Sequence, residues 1–326
     1  MHLRPSCPVR SPKRARGTLL GAPLLALVLA LVTAGCSSDE TASDTSSTTT
    51  EPSGAAATAT STTAAAAPEV DQTPPIGANG IKVAPDGSLW IASLSSDAIL
   101  QVDPTNGRIL GRVATPTGSG PDDVVIAPDG TMFWTGFVSG DVGVVEPGSD
   151  TTTVVANVGT GANPIARRDD GTLVVGRAGG ATGLFTIDPT GDPTPVQLSD
   201  PGNLNSFDIS PDGSLYAPSL NTASVLEVDP VSGETLRTVA AIDGVPIALR
   251  WHDGELYVLV LSDTTRVVRV DPTSGGVELF GETGLPAADN LAVGEDGRVF
   301  VTGLGEPTVT VLGPDGAVET TLRIGG

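Results

Sequence analysis

The sequence predicts an all-β domain built from six similar units, and three repeating features of residues 76–326 support this prediction. Six turn glycines recur at spacings of 43, 41, 42, 41 and 43 residues: Gly87, Gly130, Gly171, Gly213, Gly254 and Gly297. A second turn, Val-Asp-Pro in the first unit, follows each glycine at a nearly constant offset and weakens to Leu312-Gly313-Pro314 in the last. An aromatic residue stands three positions after five of the glycines: Trp90, Phe133, Tyr216, Tyr257 and Phe300. Units of about 40 residues with this regularity predict a six-bladed β-propeller.

Each unit reads as four short antiparallel strands. In the first unit the strands are predicted at 81–84, 89–92, 99–102 and 109–113, with an Asp-Gly turn after the first. Asp-Gly between alternating apolar runs favours a hairpin because glycine adopts positive φ readily. The repeated aromatic residues are expected to pack between neighbouring blades, and residues 69–76 are a candidate for an added edge strand. The predicted blades cover residues 78–118, 119–160, 161–202, 203–243, 244–286 and 287–326.

Residues 1–35 have the pattern of an export signal. The first 17 residues carry five basic side chains and no acidic one, and an apolar run follows over residues 19–32. This run is short for a membrane span and ends at Thr33-Ala34-Gly35 before Cys36. The junction resembles the lipobox of bacterial lipoproteins, which implies cleavage before Cys36, a lipid on its sulfur and anchoring at the outer face of the cytoplasmic membrane. A plain secretory signal and an uncleaved amphipathic anchor are the alternatives.

The exported chain is expected to combine a disordered tether with a strongly acidic domain. Residues 36–75 are mainly Ser, Thr, Ala and Pro, a composition that cannot build a core. Loss of residues 1–35 leaves 12 basic against 38 acidic residues, a net charge of −26. Such a surface repels nucleic acid, so DNA or RNA is not an expected partner. Cys36 is then the only cysteine, which leaves no intrachain disulfide to form.

One position of the repeat, near the predicted axis, is a candidate ligand-binding position. Eight residues before each turn glycine, where the chain enters the innermost strand, five of the six units carry Asn or Asp: Asn79, Asp122, Asn163, Asn205 and Asp289. Recurrence around the axis predicts a ring of oxygen-bearing side chains at the mouth of the channel. Such a ring suits Ca²⁺ or Mg²⁺, and it equally suits hydrogen bonds to a polyol. The alternative is that these residues cap the turn entering each blade.

Two arginines interrupt apolar positions of the innermost strands. Arg167 and Arg250 lie four residues before their turn glycine, where the other units carry Val or Ile. Each could pair with a buried acid such as Asp208, or reach into the channel and bind an anionic ligand. The ion pair is favoured. The acids beside the turn glycines and prolines are interpreted as turn formers.

Two stretches resemble the SMP-30/gluconolactonase family of six-bladed propellers. They are 205–216, Asn-Ser-Phe-Asp-Ile-Ser-Pro-Asp-Gly-Ser-Leu-Tyr, and Asn79-Gly80-Ile81 followed by 85–90, Pro-Asp-Gly-Ser-Leu-Trp. The resemblance covers residues 78–326, and streptogramin-lyase and NHL-type repeats share it. It implies a divalent metal held by a first-blade Glu, a fourth-blade Asn and a fifth-blade Asp, with a third-blade Asn contacting substrate.

Carried over position by position, this pattern is only half present. Asn205 matches the metal-binding Asn and Asn163 matches the substrate-contacting Asn. Pro246 stands in place of the fifth-blade Asp, and Asn79 stands in place of the first-blade Glu. A metal site could be rebuilt from Asn205, Asp122 and Asp289, with Asp289 or Asp122 as the catalytic base of a lactone hydrolase. A streptogramin lyase is disfavoured because the family's histidine base has no counterpart in the ring.

The expected function is therefore binding. A membrane-anchored propeller would hold a small polar ligand or a cell-surface protein at its channel mouth, through these residues: Asn79, Asn163, Asn205, Arg167 and Arg250. A metal-dependent lactone hydrolase using Ca²⁺ or Mg²⁺ is the first alternative. A non-catalytic NHL-like interaction module is the second.

Overall fold

The computed structural model describes residues 69–326 and confirms the six-bladed β-propeller with four antiparallel strands per blade. Each sheet consists of four strands that are consecutive in sequence, with the first strand innermost and the fourth on the rim. Cys36, the predicted signal and most of the predicted tether lie outside the described residues. The described residues contain no helix, and hence none that is long and apolar enough to cross a membrane.

The strands of the first three blades have these bounds: β1 Ala78–Val83, β2 Leu89–Ser93, β3 Ala98–Val102, β4 Ile109–Ala114, β5 Pro121–Ile126, β6 Met132–Gly136, β7 Asp141–Val145, β8 Thr153–Asn157, β9 Ala162–Arg167, β10 Leu173–Arg177, β11 Gly183–Ile187 and β12 Val196–Gln197. Those of the last three blades are β13 Asp208–Ile209, β14 Leu215–Ser219, β15 Ser224–Val228, β16 Thr235–Ala241, β17 Val245–His252, β18 Glu255–Leu261, β19 Thr265–Val270, β20 Val277–Glu282, β21 Ala288–Val293, β22 Val299–Gly303, β23 Thr308–Leu312 and β24 Val318–Arg323. The shortest rim strand, β12, follows a segment that contains Pro189, Pro193 and Pro195, which cannot donate to a sheet ladder.

The repeated Asp-Gly motifs form the turns between the first two strands of the blades. In the first blade Gly87 has a φ of 82° and donates its N–H to the carbonyl of Ala84 at 2.8 Å. The Asp86 carboxylate accepts the backbone N–H of Ser88 at 2.9 Å. The acid is therefore held by its own turn, as the sequence predicts.

The aromatic positions lie in the packing layers between blades. Phe133, Tyr216, Tyr257 and Phe300 are buried, and Tyr216 stacks on Trp251 of the next blade with ring centroids 5.7 Å apart. Trp90 differs from these four residues because it is only half-buried. The aromatic layer thus joins neighbouring sheets and leaves one indole partly open to solvent.

The first and last blades meet without exchanging a strand. Residues 69–76 form no strand, so the predicted edge strand is wrong. Instead the Gln72 side chain takes the place of a strand: its Nε2 donates to the Ile109 carbonyl at 2.8 Å, and its Oε1 accepts the Ile109 N–H at 3.0 Å. The N–H of Gly325, beyond β24, bonds to the Gly107 carbonyl at 2.9 Å, and Val70 packs against the core shared by the two blades. Side-chain and loop contacts therefore close the ring.

Candidate functional site

A β-bulge shapes the innermost strand of five of the blades at the predicted ring position. In β1, two residues separate Ala78 from Ile81, whereas their partners Ser93 and Ile91 on β2 are separated by only one. The register shifts in the same way in β5, β9, β17 and β21. A bulge places an extra residue in one strand and re-aims its side chains. Two successive side chains per blade can consequently approach the axis, in an upper and a lower layer.

The upper layer contains the residues that the sequence singles out. Asn79 of the first blade donates its Nδ2 to Oδ1 of Asp122 in the second blade at 2.7 Å. Asn79 is 7% exposed and Asp122 is 3% exposed, so this bond is shielded from water. The Oδ1 atom of Asn79 is buried and has no hydrogen-bond donor among the described residues. A buried acceptor without a donor costs free energy, on the order of 1–3 kcal/mol.

The other three ring residues are half-buried at the same level. Asp289 is close enough to Asp122 for its charge to act on it, whereas Asn163 and Asn205 form no hydrogen bond with Asn79 or Asp122. The Asn205 Oδ1 accepts the backbone N–H of Ser206 at 2.9 Å, which is partly the turn-capping role that the sequence left open. The structure thus brings together Asn79, Asp122 and Asp289 more tightly than the two remaining amides.

The two carboxyl groups hold protons unusually strongly. Burial raises the pKa of Asp122 well above its ordinary value, and the negative charges of Asp289 and Asp123 raise it further. Burial, followed by the charge of Asp123, raises the pKa of Asp289 to about 7. Near neutral pH a protonated carboxyl in the upper layer can donate a hydrogen bond as well as accept one.

The lower layer is a buried polar cluster around Arg250, and we call it the axial cluster. It consists of Asp123, Ser206, Arg250 and Asn290, which come from four different blades and are each at most 3% exposed. Arg250 Nη1 donates to Ser206 Oγ at 2.7 Å, and Nη2 donates to Asn290 Oδ1 at 2.9 Å and to Asp123 Oδ1 at 3.4 Å. Ser206 Oγ in turn donates to Asp123 Oδ2 at 3.0 Å. The cluster joins opposite sides of the propeller beneath the ring.

Arg250 forms an ion pair with a buried acid, which is the interpretation that the sequence favours. The partner, however, is Asp123 and not Asp208. Asp208 instead accepts the backbone N–H of Trp251 through its Oδ2 at 3.1 Å. The sequence missed Asp123, Ser206 and Asn290 because an ideal strand would turn the residue after each ring position away from the axis. The missed signal is the polar character of three of the six residues that directly follow the ring position.

Arg167 and Lys82 occupy different places. Arg167 is half-buried and lines a groove on the turn face between the second and third blades, together with Asp129 and Glu146, so the structure does not bring it to the ring. Lys82 lies on the innermost strand of the first blade and was not singled out. Burial, followed by the charge of Arg250, lowers the pKa of the Lys82 ammonium.

The ring does not reproduce the metal-ligand set that the family resemblance implies. Pro246 is buried at the fifth-blade position and offers no ligand, and Asn79 occupies the first-blade position. Within residues 69–326, no three His, Cys, Asp or Glu side chains converge as a metal site would require. A site built from Asn205, Asp122 and Asp289 therefore stays a prediction. His252 lies at the end of β17 and contacts Tyr257 edge-on, far along the strand from the ring position.

The comparisons with known proteins establish the fold. No model of a protein family matches the chain, and a search of curated proteins finds no match. Three solved structures illustrate the likeness. A streptogramin B lyase is 16% identical, with a TM-score of 0.59 over 77% of this chain and 84% of that one. A gluconolactonase from Xanthomonas campestris is 14% identical, with a TM-score of 0.57 over 72% of this chain and 85% of that one.

The third structure is a calcium-binding protein, regucalcin, from Agrobacterium tumefaciens. It is 18% identical, with a TM-score of 0.55 over 71% of this chain and 83% of that one. At these identities the likeness shows the fold alone, and the class of protein is therefore a six-bladed β-propeller. Fold alone does not carry an activity from one propeller to another.

Proposed function

We propose that this protein binds a small polyhydroxylated ligand at the upper layer of its central channel. The unpartnered, buried Oδ1 of Asn79 carries the proposal, because a ligand hydroxyl would supply the missing donor. The members of the axial cluster bond to one another beneath the ring and provide a floor, with only the Arg250 Nε left buried without an acceptor among residues 69–326. Asn79, Asn163 and Asn205 supply amides, and Asp122 and Asp289 supply carboxyl groups that both donate and accept.

The charge state of the ring favours a neutral polar ligand over an anion. Arg250 is the nearest guanidinium, but Asp123, Ser206 and Asn290 already engage it, so we propose for it a positioning role under the ligand. Hydroxyl groups pair well with a mixture of amides and protonated carboxyls, since each can donate and accept. A sugar acid would bring a negative charge against Asp122 and Asp289 and is disfavoured.

A lactone hydrolase is the second candidate, and one observation favours it. The pKa of Asp289, raised to about 7, lies where a general base is most effective near neutral pH. Asp289 would accept the proton of a water that attacks the lactone carbonyl, and Asp122, kept protonated, would donate a hydrogen bond to the carbonyl oxygen. The fold likeness to a gluconolactonase is consistent with this candidate. Ca²⁺ or Mg²⁺ remains the expected cofactor if hydrolysis occurs.

The experiment measures binding to the full-length chain by calorimetry and thermal shift, with a panel of polyols, sugars and sugar lactones. Asn79→Leu should abolish binding of the best polyol, while the matched substitution of an exposed amide, Asn221→Leu, should leave it unchanged. No saturable binding by any member, or equal effects of the two variants, would contradict the proposal. Turnover of a lactone that is lost in Asp289→Asn would identify the hydrolase instead, and Ca²⁺, Mg²⁺ and a chelator added to that assay test the metal.

We further propose that the chain is an exported lipoprotein, held at the outer face of the cytoplasmic membrane by a lipid on Cys36. The basic start, the short apolar run and the small residues before Cys36 support this. Metabolic labelling with a radioactive fatty acid, followed by membrane fractionation, tests it. Label and membrane retention should both disappear in Cys36→Ser. Label that persists in that variant would refute the anchor.

If the ring binds no small molecule, a partner protein at the cell surface is the remaining candidate.

A further inference from the structure

A groove other than the one lined by Arg167 lies on the turn face, between the first two blades. It is a groove of about 590 Å³, within the range of small-molecule sites, and we call it the turn-face groove. Its floor is apolar and includes Trp90, Ile126, Met132 and Val145. No residue of the channel ring contributes to it. The groove is therefore separate from the site proposed above.

Trp90 is the feature that sets this groove apart. Its counterparts in the other blades, Phe133, Val174, Tyr216, Tyr257 and Phe300, are buried, whereas Trp90 is half-buried and faces the groove. The indole N–H makes no hydrogen bond within residues 69–326 and is not enclosed. Trp90 packs in part against the core of the first two blades, and a partly exposed indole is the best cation-binding surface among the side chains.

Gly111 provides the space beside the indole. It lies in the middle of β4 and lines the groove, where a side chain would occupy the volume above Gln101: a Cβ at this position would stand 3.3 Å from Gln101 Oε1. The Gln101 Nε2 donates to Ser88 Oγ at 2.9 Å and to Asp86 Oδ2 at 3.3 Å, whereas Oε1 accepts no hydrogen bond within residues 69–326. A donor on a ligand could bond to this oxygen.

The rim of the groove carries an excess of negative charge. Asp86, Asp129, Glu146 and Asp150 line it, and Arg112 is its only basic residue. The Arg112 guanidinium already donates to the Thr73 carbonyl at 2.6 Å and lies 3.7 Å from the Asp71 carboxylate, outside the rim. Glu146 and Asp150 form no ion pair among the described residues.

From these contacts we propose that the turn-face groove binds a small organic cation, an amidinium, guanidinium or ammonium group carried on an apolar body. The cation would lie on the face of Trp90, donate to Gln101 Oε1 and be paired by Glu146 and Asp150. Its apolar body would cover Ile126 and Met132. This is a binding role for the protein that does not depend on the channel ring.

Calorimetric titration of the full-length chain with benzamidine tests the proposal, with benzamide as the uncharged analogue. Benzamidine should bind saturably and at least tenfold more tightly than benzamide. Glu146→Gln combined with Asp150→Asn should weaken benzamidine about tenfold, because both side chains are exposed and contribute charge without holding the fold. Gly111→Val should abolish binding by filling the groove, on a strand where a β-branched residue is well tolerated.

The control variant removes the same two charges elsewhere. Asp271→Asn combined with Asp315→Asn changes exposed acids on the turns of the fifth and sixth blades, so it reports the general effect of an acidic protein on a cation. Its benzamidine affinity should stay within about twofold of the unaltered chain. Equal binding of benzamide, equal losses in the two double variants, or full affinity in a folded Gly111→Val would each overturn the proposal. Asn79→Leu should have no effect.

Discussion

Arg250 and Asp123 meet across the propeller axis, with Nη2 and Oδ1 3.4 Å apart, although 127 residues separate them in the chain. They belong to the fifth and second blades, which face each other, and both side chains are almost completely buried. Ser206 and Asn290 add hydrogen bonds around the pair. This contact ties the two halves of the ring together beneath the candidate site.

Replacing Arg250 by Met should lower the free energy of unfolding by about 3–5 kcal/mol, because it leaves the Asp123 carboxylate buried without a counter-ion. Urea denaturation measures the change. Arg266→Met is the control, since Arg266 forms a more exposed pair with Asp243 and should cost less than about 1 kcal/mol. Similar costs for the two variants would show that the axial cluster contributes no more than a surface ion pair.

The stability of the protein should fall as the pH rises from about 4 to 7. Asp289 has a pKa of about 7 in the folded chain against an ordinary value of 3.8, so the folded state binds the proton more tightly than the unfolded state over this interval. Asp122, whose pKa is also raised, acts in the same direction. Asp289→Asn should flatten the profile and be more stable than the unaltered chain at pH 8.

The matched control for this pH profile is Asp271→Asn. Hydrogen bonds from the side chain of Ser274 and the backbone of Thr273 lower the pKa of Asp271, so its contribution has the opposite sign. Its removal should reduce stability above pH 4 slightly, because the carboxylate is exposed. Denaturation midpoints at pH 5, 6, 7 and 8 would be compared. A profile of Asp289→Asn parallel to that of the unaltered chain would contradict the assignment.

The Gln72 side chain should contribute measurably to closure of the ring. Gln72→Ala removes two hydrogen bonds to the backbone of Ile109, and a cost of about 1–2 kcal/mol is expected. Hydrogen exchange should accelerate at the Ile109 amide and in β24 while the fourth blade stays protected. Thr73→Ala is the control because the Thr73 side chain bonds only to the exposed Asp71. Unchanged exchange at Ile109 would exclude the closure role.

The turn glycine Gly316 should tolerate no side chain. It has a φ of 79°, and a Cβ at this position would collide with the backbone carbonyl of Phe280 in the fifth blade. Gly148 has a similar φ of 74° but no atom within 4 Å of a Cβ, so Gly148→Ala isolates the backbone strain, about 1 kcal/mol. Gly316→Ala should cost clearly more in thermal unfolding. Equal costs would mean that the two blades shift apart freely.

The sequence predicted the blade count because its markers are local. Asp86 and Gly87 specify a turn whatever surrounds them, and four further blades repeat its hydrogen bond, while Asp253 and Gly254 of the fifth blade form a tighter hairpin in which both residues have positive φ. It also predicted the ring position, since Asn79 and Asp122 occupy equivalent places in successive blades and meet in the structure. Recurrence thus carries information about residues that are distant in the chain.

The axial cluster could not be predicted in the same way. Asp123 reaches the axis because of a bulge, which is a property of the strand pairing and does not recur at one residue type in the other blades. Which acid pairs with Arg250 depends on distances across the channel, so the sequence suggested Asp208 whereas the structure pairs Arg250 with Asp123. The Gln72 contact is likewise a single side chain outside the repeat, so periodicity says nothing about it.

The closure by Gln72 and Gly325 has a mechanical consequence. Both ends of the domain lie at one seam, between a first and a last blade that share no sheet. A force that enters the domain at residue 69 acts first on the Gln72–Ile109 pair, before any β-ladder is loaded. The seam is consequently where this propeller should open under tension, and blades two to five should unfold only afterwards.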